Sequence, residues 1–149
     1  MMEKILLATD GSENALRAAR LAGELSYQFD IPVVAVYVLL PVPALQKAAV
    51  ENGGVLTGAG SMAALRGTEK AAEDILRKSV QVLEQAGARY TARWERGLPA
   101  QVLCEIAKAQ GCDLIVIGRH GMEQASKRSL GSVSEHVARC AHLSVILVK

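Results

Sequence analysis

The chain has 149 residues, 50% hydrophobic and 21% charged, which fits one domain with a single packed core and excludes a disordered or collagen-like polymer. Seventeen Lys and Arg against fifteen Asp and Glu give a formal charge of +2, with no basic block and only 3% aromatic residues. Neither phosphate-backbone steering nor base stacking is provided for, so nucleic acid is not an expected partner.

The longest uncharged run, Ile31 to Gln46, is broken by Pro32, Pro41 and Pro43 and cannot form a membrane-spanning helix. Ile5 to Ala8 is too short for the apolar region of a signal peptide. Cys104, Cys112 and Cys140 are odd in number and lack a C-x-x-C pair, which reads as free thiols in a reducing compartment. The expected location is cytoplasmic.

Short apolar runs alternate with helical patterns, as in a parallel sheet wrapped by crossover helices. Lys4 to Thr9 is a strand ending at Asp10-Gly11-Ser12, with Ser12 placed to cap a helix whose Ala18, Leu21, Ala22 and Leu25 share one face. Val33 to Leu39 is a β-branched, uncharged strand of the interior. From Leu40 to Gly67 prolines and glycines predict a long loop. A helix over Met62 to Ala86 follows, with Ala72, Leu76, Val80 and Leu83 inward, Glu73/Arg77 and Asp74/Lys78 paired outward, and Gly87 as its C-cap. Alternation of Tyr90, Ala92 and Trp94 with polar residues predicts an edge strand with one wet face. Pro99 opens a helix that stops at Gly111, Leu114 to Ile117 is a buried strand, and a helix over Val133 to Ala141 precedes a strand from Ser144 to Val148. Five strands and four helices in alternation predict a single doubly wound, Rossmann-like α/β domain over 1–149.

Gly118-Arg119-His120-Gly121 follows a strand, and Gly131-Ser132-Val133-Ser134 opens a helix. Glycines admit a ligand to the backbone, helix-start N–H groups attract anions, and Ser132 and Ser134 would add hydroxyl donors. Ser132 and Glu135 equally spell a capping box, so spacing alone leaves phosphate binding and a plain turn-and-cap both open.

Gly118-x2-Gly121-x9-Gly131-Ser132 matches the signature G-x2-G-x9-G-[ST] of the universal stress proteins, and the chain resembles that family along its whole length, including Ile5-Leu6-Leu7-Ala8-Thr9-Asp10-Gly11-Ser12, Cys112 to Gly118 and Val145 to Val148. The resemblance implies an adenine nucleotide alpha-hydrolase-like sheet of order 3-2-1-4-5, whose switch point sets Asp10 and Gly118 on one crevice. It further implies ATP, with Mg²⁺ or Mn²⁺. Ala8, Thr9 and Asp10 would lie beside the adenosine, Asp10 facing ribose or cation; Val38 would meet adenine; Gly118 and Gly121 would hold ribose and the first phosphates; Gly131, Ser132, Val133 and Ser134 would take the distal ones. Asp10 has a competing role as a turn residue, and Val38 as core. Lys127 and Arg128 could neutralise phosphate or face solvent. The resemblance also implies a homodimer paired through Val145 to Val148, where a charge at Ile146 or Val148 should give monomers.

Other motifs fail on context. Gly58-Ala59-Gly60-Ser61-Met62-Ala63 has no strand before it, the chain has no Gly-Lys dipeptide for a P-loop, and His136 with Cys140 lacks further zinc ligands. His120 is a catalytic candidate without a visible water-positioning partner. The leading expectation is an ATP-dependent switch or sensor of a stress response, acting on an unidentified protein partner and not primarily an enzyme. A ligand-independent dimeric adaptor and a slow ATP hydrolase are the alternatives.

Overall fold

The computed structural model describes residues 1–41, 58–121 and 130–149, with side chains in the second span from Thr68 onward. Five strands, β1 (Ile5–Ala8), β2 (Val33–Leu39), β3 (Tyr90–Arg96), β4 (Leu114–Gly118) and β5 (Ser144–Val148), form one parallel sheet of order β3-β2-β1-β4-β5. The helices are α1 (Glu13–Phe29), α2 (Gly58–Gln85), α3 (Pro99–Ala109) and α4 (Ser132–Cys140). The expected five-stranded order is therefore the observed one.

Each interior strand is apolar on both faces because helices cover both. Ile5, Leu7, Val33, Ala35, Leu114 and Val116 pack with Ala18, Ala22 of α1 and Leu83 of α2. The alternate residues Leu6, Ala8, Val34, Val36, Ile115 and Ile117 pack with Leu103, Ile106 of α3 and Val137 of α4. Fully burying each Val, Leu or Ile among them is worth about 1.5–3 kcal/mol, and the period of two sends neighbours to opposite layers.

Ser12 caps α1 as expected, its Oγ accepting from Ala15 N at 3.2 Å. Gly87, at φ +73°, ends α2; its N–H donates to Glu84 O at 3.0 Å and that of Ala88 to Leu83 O at 3.0 Å, the paired bonds of a Schellman turn that a left-handed glycine permits.

Five expectations need correction. The second helix starts at Gly58, not Met62, so its glycines are helical and the connection is shorter; helix formers around them outweigh a Gly cost of about 1 kcal/mol each. The rest of that connection, 42–57, lies outside the described residues. On the inner face of α2 it is Ser79, not Val80, that is fully buried beside Ala72, Leu76 and Leu83, and Arg77 pairs with Asp74 at 2.8 Å rather than with Glu73. β3 is the predicted edge strand, but Thr91, Ala92 and Arg93 are all exposed, so burial does not alternate along it. The α4 helix begins at Ser132, with Gly131 at the N-cap and no side-chain cap bond.

Candidate functional site

The chain reverses strand order between β2 and β4 around β1, and a cavity of about 440 Å³ opens at the carboxyl ends of these strands. From β1 and its turn come Ala8, Thr9 and Asp10; from β2, Val38. Gly118 and Gly121 border it after β4, and Gly131, Ser132, Val133 and Ser134 at the start of α4. All of the residues singled out for nucleotide contact thus line one cavity, while Lys127 and Arg128 lie outside the described residues.

Their local roles differ. Asp10 Oδ1 accepts from Ser12 N at 2.9 Å, so the turn role foreseen for Asp10 is real and holds one carboxylate oxygen in place. Thr9 is buried; its Oγ1 accepts from Gly11 N at 3.2 Å and lies 2.7 Å from Ser79 Oγ, so that hydroxyl is committed within the protein. Gly118 leaves room for another backbone: a Cβ there would lie 2.8 Å from Asn14 C and 2.9 Å from Ala15 N. The seat of α1 against β4 therefore requires this glycine independently of any ligand.

Arg119 joins the two halves of the glycine signature. Its N–H donates to Val148 O at 2.7 Å, and its carbonyl accepts from Gly131 N at 2.9 Å and Ser134 Oγ at 2.8 Å. Ser134 Oγ also lies 2.9 Å from Gly131 O. The Ser134 hydroxyl hydrogen is consequently spent on backbone carbonyls, which corrects its expected role as a hydroxyl donor to a ligand. Ser132 is exposed at the first helical position, one residue past the register a capping box needs, and Glu135 pairs with Arg139 at 2.7 Å.

What α4 offers the cavity is its backbone. The first intrahelical bond runs from Glu135 N to Gly131 O at 2.9 Å, so the N–H groups of Ser132, Val133 and Ser134 precede the helical ladder and form its positive end. At the other side Asp10 supplies negative charge. Burial pushes the Tyr37 phenol above its ordinary range, and the Asp10 carboxylate pushes it the same way. An anion is favoured at the α4 end and a hydroxyl donor or cation at the Asp10 end.

His120 is buried at 8% exposure, lines the cavity, and its Nε2 has no hydrogen-bond partner among the described residues. Such a buried polar atom costs about 1–3 kcal/mol unless something satisfies it. The apolar part of the wall was largely missed from sequence: Val36, Tyr37, Ile75, Pro99 and Leu103 also line the cavity. Of these only Pro99 opens an element; Val36, Ile75 and Leu103 lie in the interior of theirs, so no local signal separates them from ordinary core.

Among the described residues no three or more His, Cys, Asp and Glu side chains cluster to hold a metal, and His136 and Cys140 are joined by no further ligand. Gly58 to Ala63 lie in α2, not in a strand-turn-helix setting. No helix of the described residues is long and apolar enough to cross a membrane.

The sequence profile of the universal stress protein family matches residues 1–149. Universal stress protein MJ0531 of Methanocaldococcus jannaschii is 31% identical over 149 residues, covering 100% of this chain and 83% of that protein. A solved universal stress protein in complex with cAMP is 26% identical, with 99% of this chain and 97% of that one covered and a TM-score of 0.69. Universal stress protein UspA from Lactobacillus plantarum superposes at a TM-score of 0.79 over 99% and 98% of the two chains, a likeness of fold at 23% identity.

Proposed function

Because the chain belongs to the universal stress protein family, we propose that its cavity is an adenine-nucleotide site, that ATP is the ligand, and that occupancy switches the protein between states with different partner contacts. The observation that carries this reading is the polarity of the cavity: an apolar wall of Val36, Val38, Leu103 and Ile117 for a base, a carboxylate at Asp10, and a helix N-terminus at Ser132. A base, a ribose and a phosphate chain present those three chemistries in that order. The relative solved with cAMP supports an adenine ligand in this fold.

Ala8, Thr9 and Asp10 then lie beside the adenosine, with Asp10 accepting from a ribose hydroxyl or meeting a cation. Gly118 and Gly121 admit the ribose and first phosphates, and the Ser132, Val133 and Ser134 N–H groups bind the distal ones. His120, whose buried Nε2 lacks a partner among the described residues, lies in the wall of the same cavity. Asp10 is the sole carboxylate among the described residues lining the cavity, so Mg²⁺ or Mn²⁺ enters chiefly on the phosphates, as such ions do at sites with one or two carboxylates. The switch follows from differential affinity: ATP binds one arrangement of the Gly118–Gly121 turn and the start of α4 better than another. The dimer through β5 provides the surface whose contacts change.

Mass spectrometry of small molecules released on denaturing freshly purified protein tests the reading. Near-stoichiometric ATP is expected. ADP or AMP alone would favour slow hydrolysis at His120, and no nucleotide, with no calorimetric binding of Mg-ATP at millimolar concentration, would favour the ligand-independent adaptor.

A further inference from the structure

Two thiols that sequence separates by 36 positions meet between the helices α3 and α4. Cys104 Sγ lies 2.9 Å from Cys140 Sγ, both cysteines are free, Cys104 is half-buried and Cys140 is exposed. A disulfide bond requires sulfurs at about 2.05 Å, so bond formation needs under about an ångström of further approach between two helices that already pack together. We propose that Cys104 and Cys140 form a reversible intramolecular disulfide, a redox modification site clamping α3 to α4, with hydrogen peroxide as the oxidant class.

The two members divide the chemistry. Burial and the neighbouring Cys140 thiol push Cys104 up to about 12, so at neutral pH Cys104 keeps its proton. Cys140, the exposed member, meets peroxide. Its thiolate sulfur attacks one peroxide oxygen, the O–O bond breaks, hydroxide leaves, and Cys140 becomes a sulfenic acid. The Cys104 sulfur then attacks the Cys140 sulfur; the S–S bond forms as the S–O bond breaks, and the departing hydroxide takes the Cys104 proton as water. Two thiols and one peroxide give one disulfide and two waters, the sulfurs losing the two electrons that peroxide gains. Cys112 is buried and packs in the core cluster with Leu6 and Ile115, so it takes no part.

The clamp sits behind the cavity. Leu103, the neighbour of Cys104, and Ser134, at the opposite end of the helix that ends in Cys140, both line it. Disulfide formation itself does not depend on what the cavity binds.

Tryptic cleavage puts the three cysteines in three peptides, 97–108, 109–119 and 140–149. After treatment with stoichiometric hydrogen peroxide and alkylation of remaining thiols under denaturing conditions, peptides 97–108 and 140–149 should appear joined, with loss of two hydrogens from the intact protein, Cys112 alkylated, and full reversal by dithiothreitol. In Cys104→Ser the same treatment should instead leave Cys140 as a trappable sulfenic acid. Recovery of all three cysteines alkylated would overturn the proposal. So would Cys140 joined to a second chain's Cys140, or Cys140 driven to sulfinic acid in the unsubstituted protein with no linked peptide.

Discussion

A Cβ built on Gly121 would lie 2.5 Å from Asp10 Oδ2, so the residue three places after β4 and the residue two places before the N-cap of α1 meet with no room for a side chain between them. Asp10 cannot swing aside without cost, because its other oxygen is held by Ser12 N. Gly121→Val must therefore displace the loop, the carboxylate or both, at the place proposed for ribose and first phosphates. The expected outcome is at least about a 100-fold loss of Mg-ATP affinity, equivalent to about 2.7 kcal/mol, with an unchanged far-UV spectrum since Gly121 lies outside helix and strand. Calorimetry reads it directly; wild-type affinity in the variant would sink the site assignment.

The buried pair of Thr9 Oγ1 and Ser79 Oγ, 2.7 Å apart, ties the floor of the cavity to α2. Ser79→Ala leaves the buried Thr9 hydroxyl short of one partner, which should cost about 1–2 kcal/mol and lower Tm by about 3–6 °C. Thr9→Val together with Ser79→Ala should cost less than the two single changes summed, because both polar groups are then gone. Strict additivity in denaturant titrations would mean that the two hydroxyls do not interact.

The pattern of what sequence did and did not reveal has a physical cause. Strand order, helix faces and the convergence of Asp10 with Gly118 follow from periodicity, from the glycine signature and from the family resemblance, since each is written locally or by topology. The Thr9–Ser79 bond, the Cys104–Cys140 approach and the apolar wall at Ile75 and Leu103 are meetings of distant segments that no local pattern encodes. At Ser79 the apolar character of its neighbour favoured Val80 for the core, yet position 79 is the one at helical spacing from Ala72, Leu76 and Leu83, and the Thr9 hydroxyl gives the buried serine its partner. Ser132 failed as a capping-box residue for a related reason, since Arg119 O draws Gly131 N and fixes the cap one position earlier.

Asp113 sets an acid limit on the N-terminal strand. Its Oδ2 accepts from Glu3 N at 2.6 Å and Lys4 N at 3.1 Å, and these two backbone bonds hold its carboxyl below the usual aspartate value. A carboxyl whose folded pKa is depressed adds stability that is complete above the unfolded pKa and is lost as pH falls through the folded one. The urea midpoint of the wild-type protein should therefore exceed that of Asp113→Asn by a constant margin from neutrality down to about pH 5, and the margin should shrink once pH drops below about 4. A margin that stays the same down to pH 2 would show that the difference does not come from the ionised carboxylate.

Dimerisation through β5 is best tested on the backbone. The strand is at the sheet edge, and its Val145, Ile146, Leu147 and Val148 are all only half-buried. Ile146 and Val148 pack against the core on the α1 side, and Val145 and Leu147 on the α4 side, so a charge at Ile146 or Val148 would injure the monomer as well as any interface. Val148 O accepts from Arg119 N at 2.7 Å and so points towards β4. Alternate residues of a strand direct their N–H and C=O groups to opposite edges, which leaves those of Val145 and Leu147 facing outward, available to a second copy. Leu147→Pro removes one outward donor while retaining an apolar side chain, a change that edge strands tolerate when the donor is unused. If β5 pairs across a two-fold axis, sedimentation should show the dimer mass halved in this variant with the helical far-UV signal kept. A dimer that persists would place the interface elsewhere.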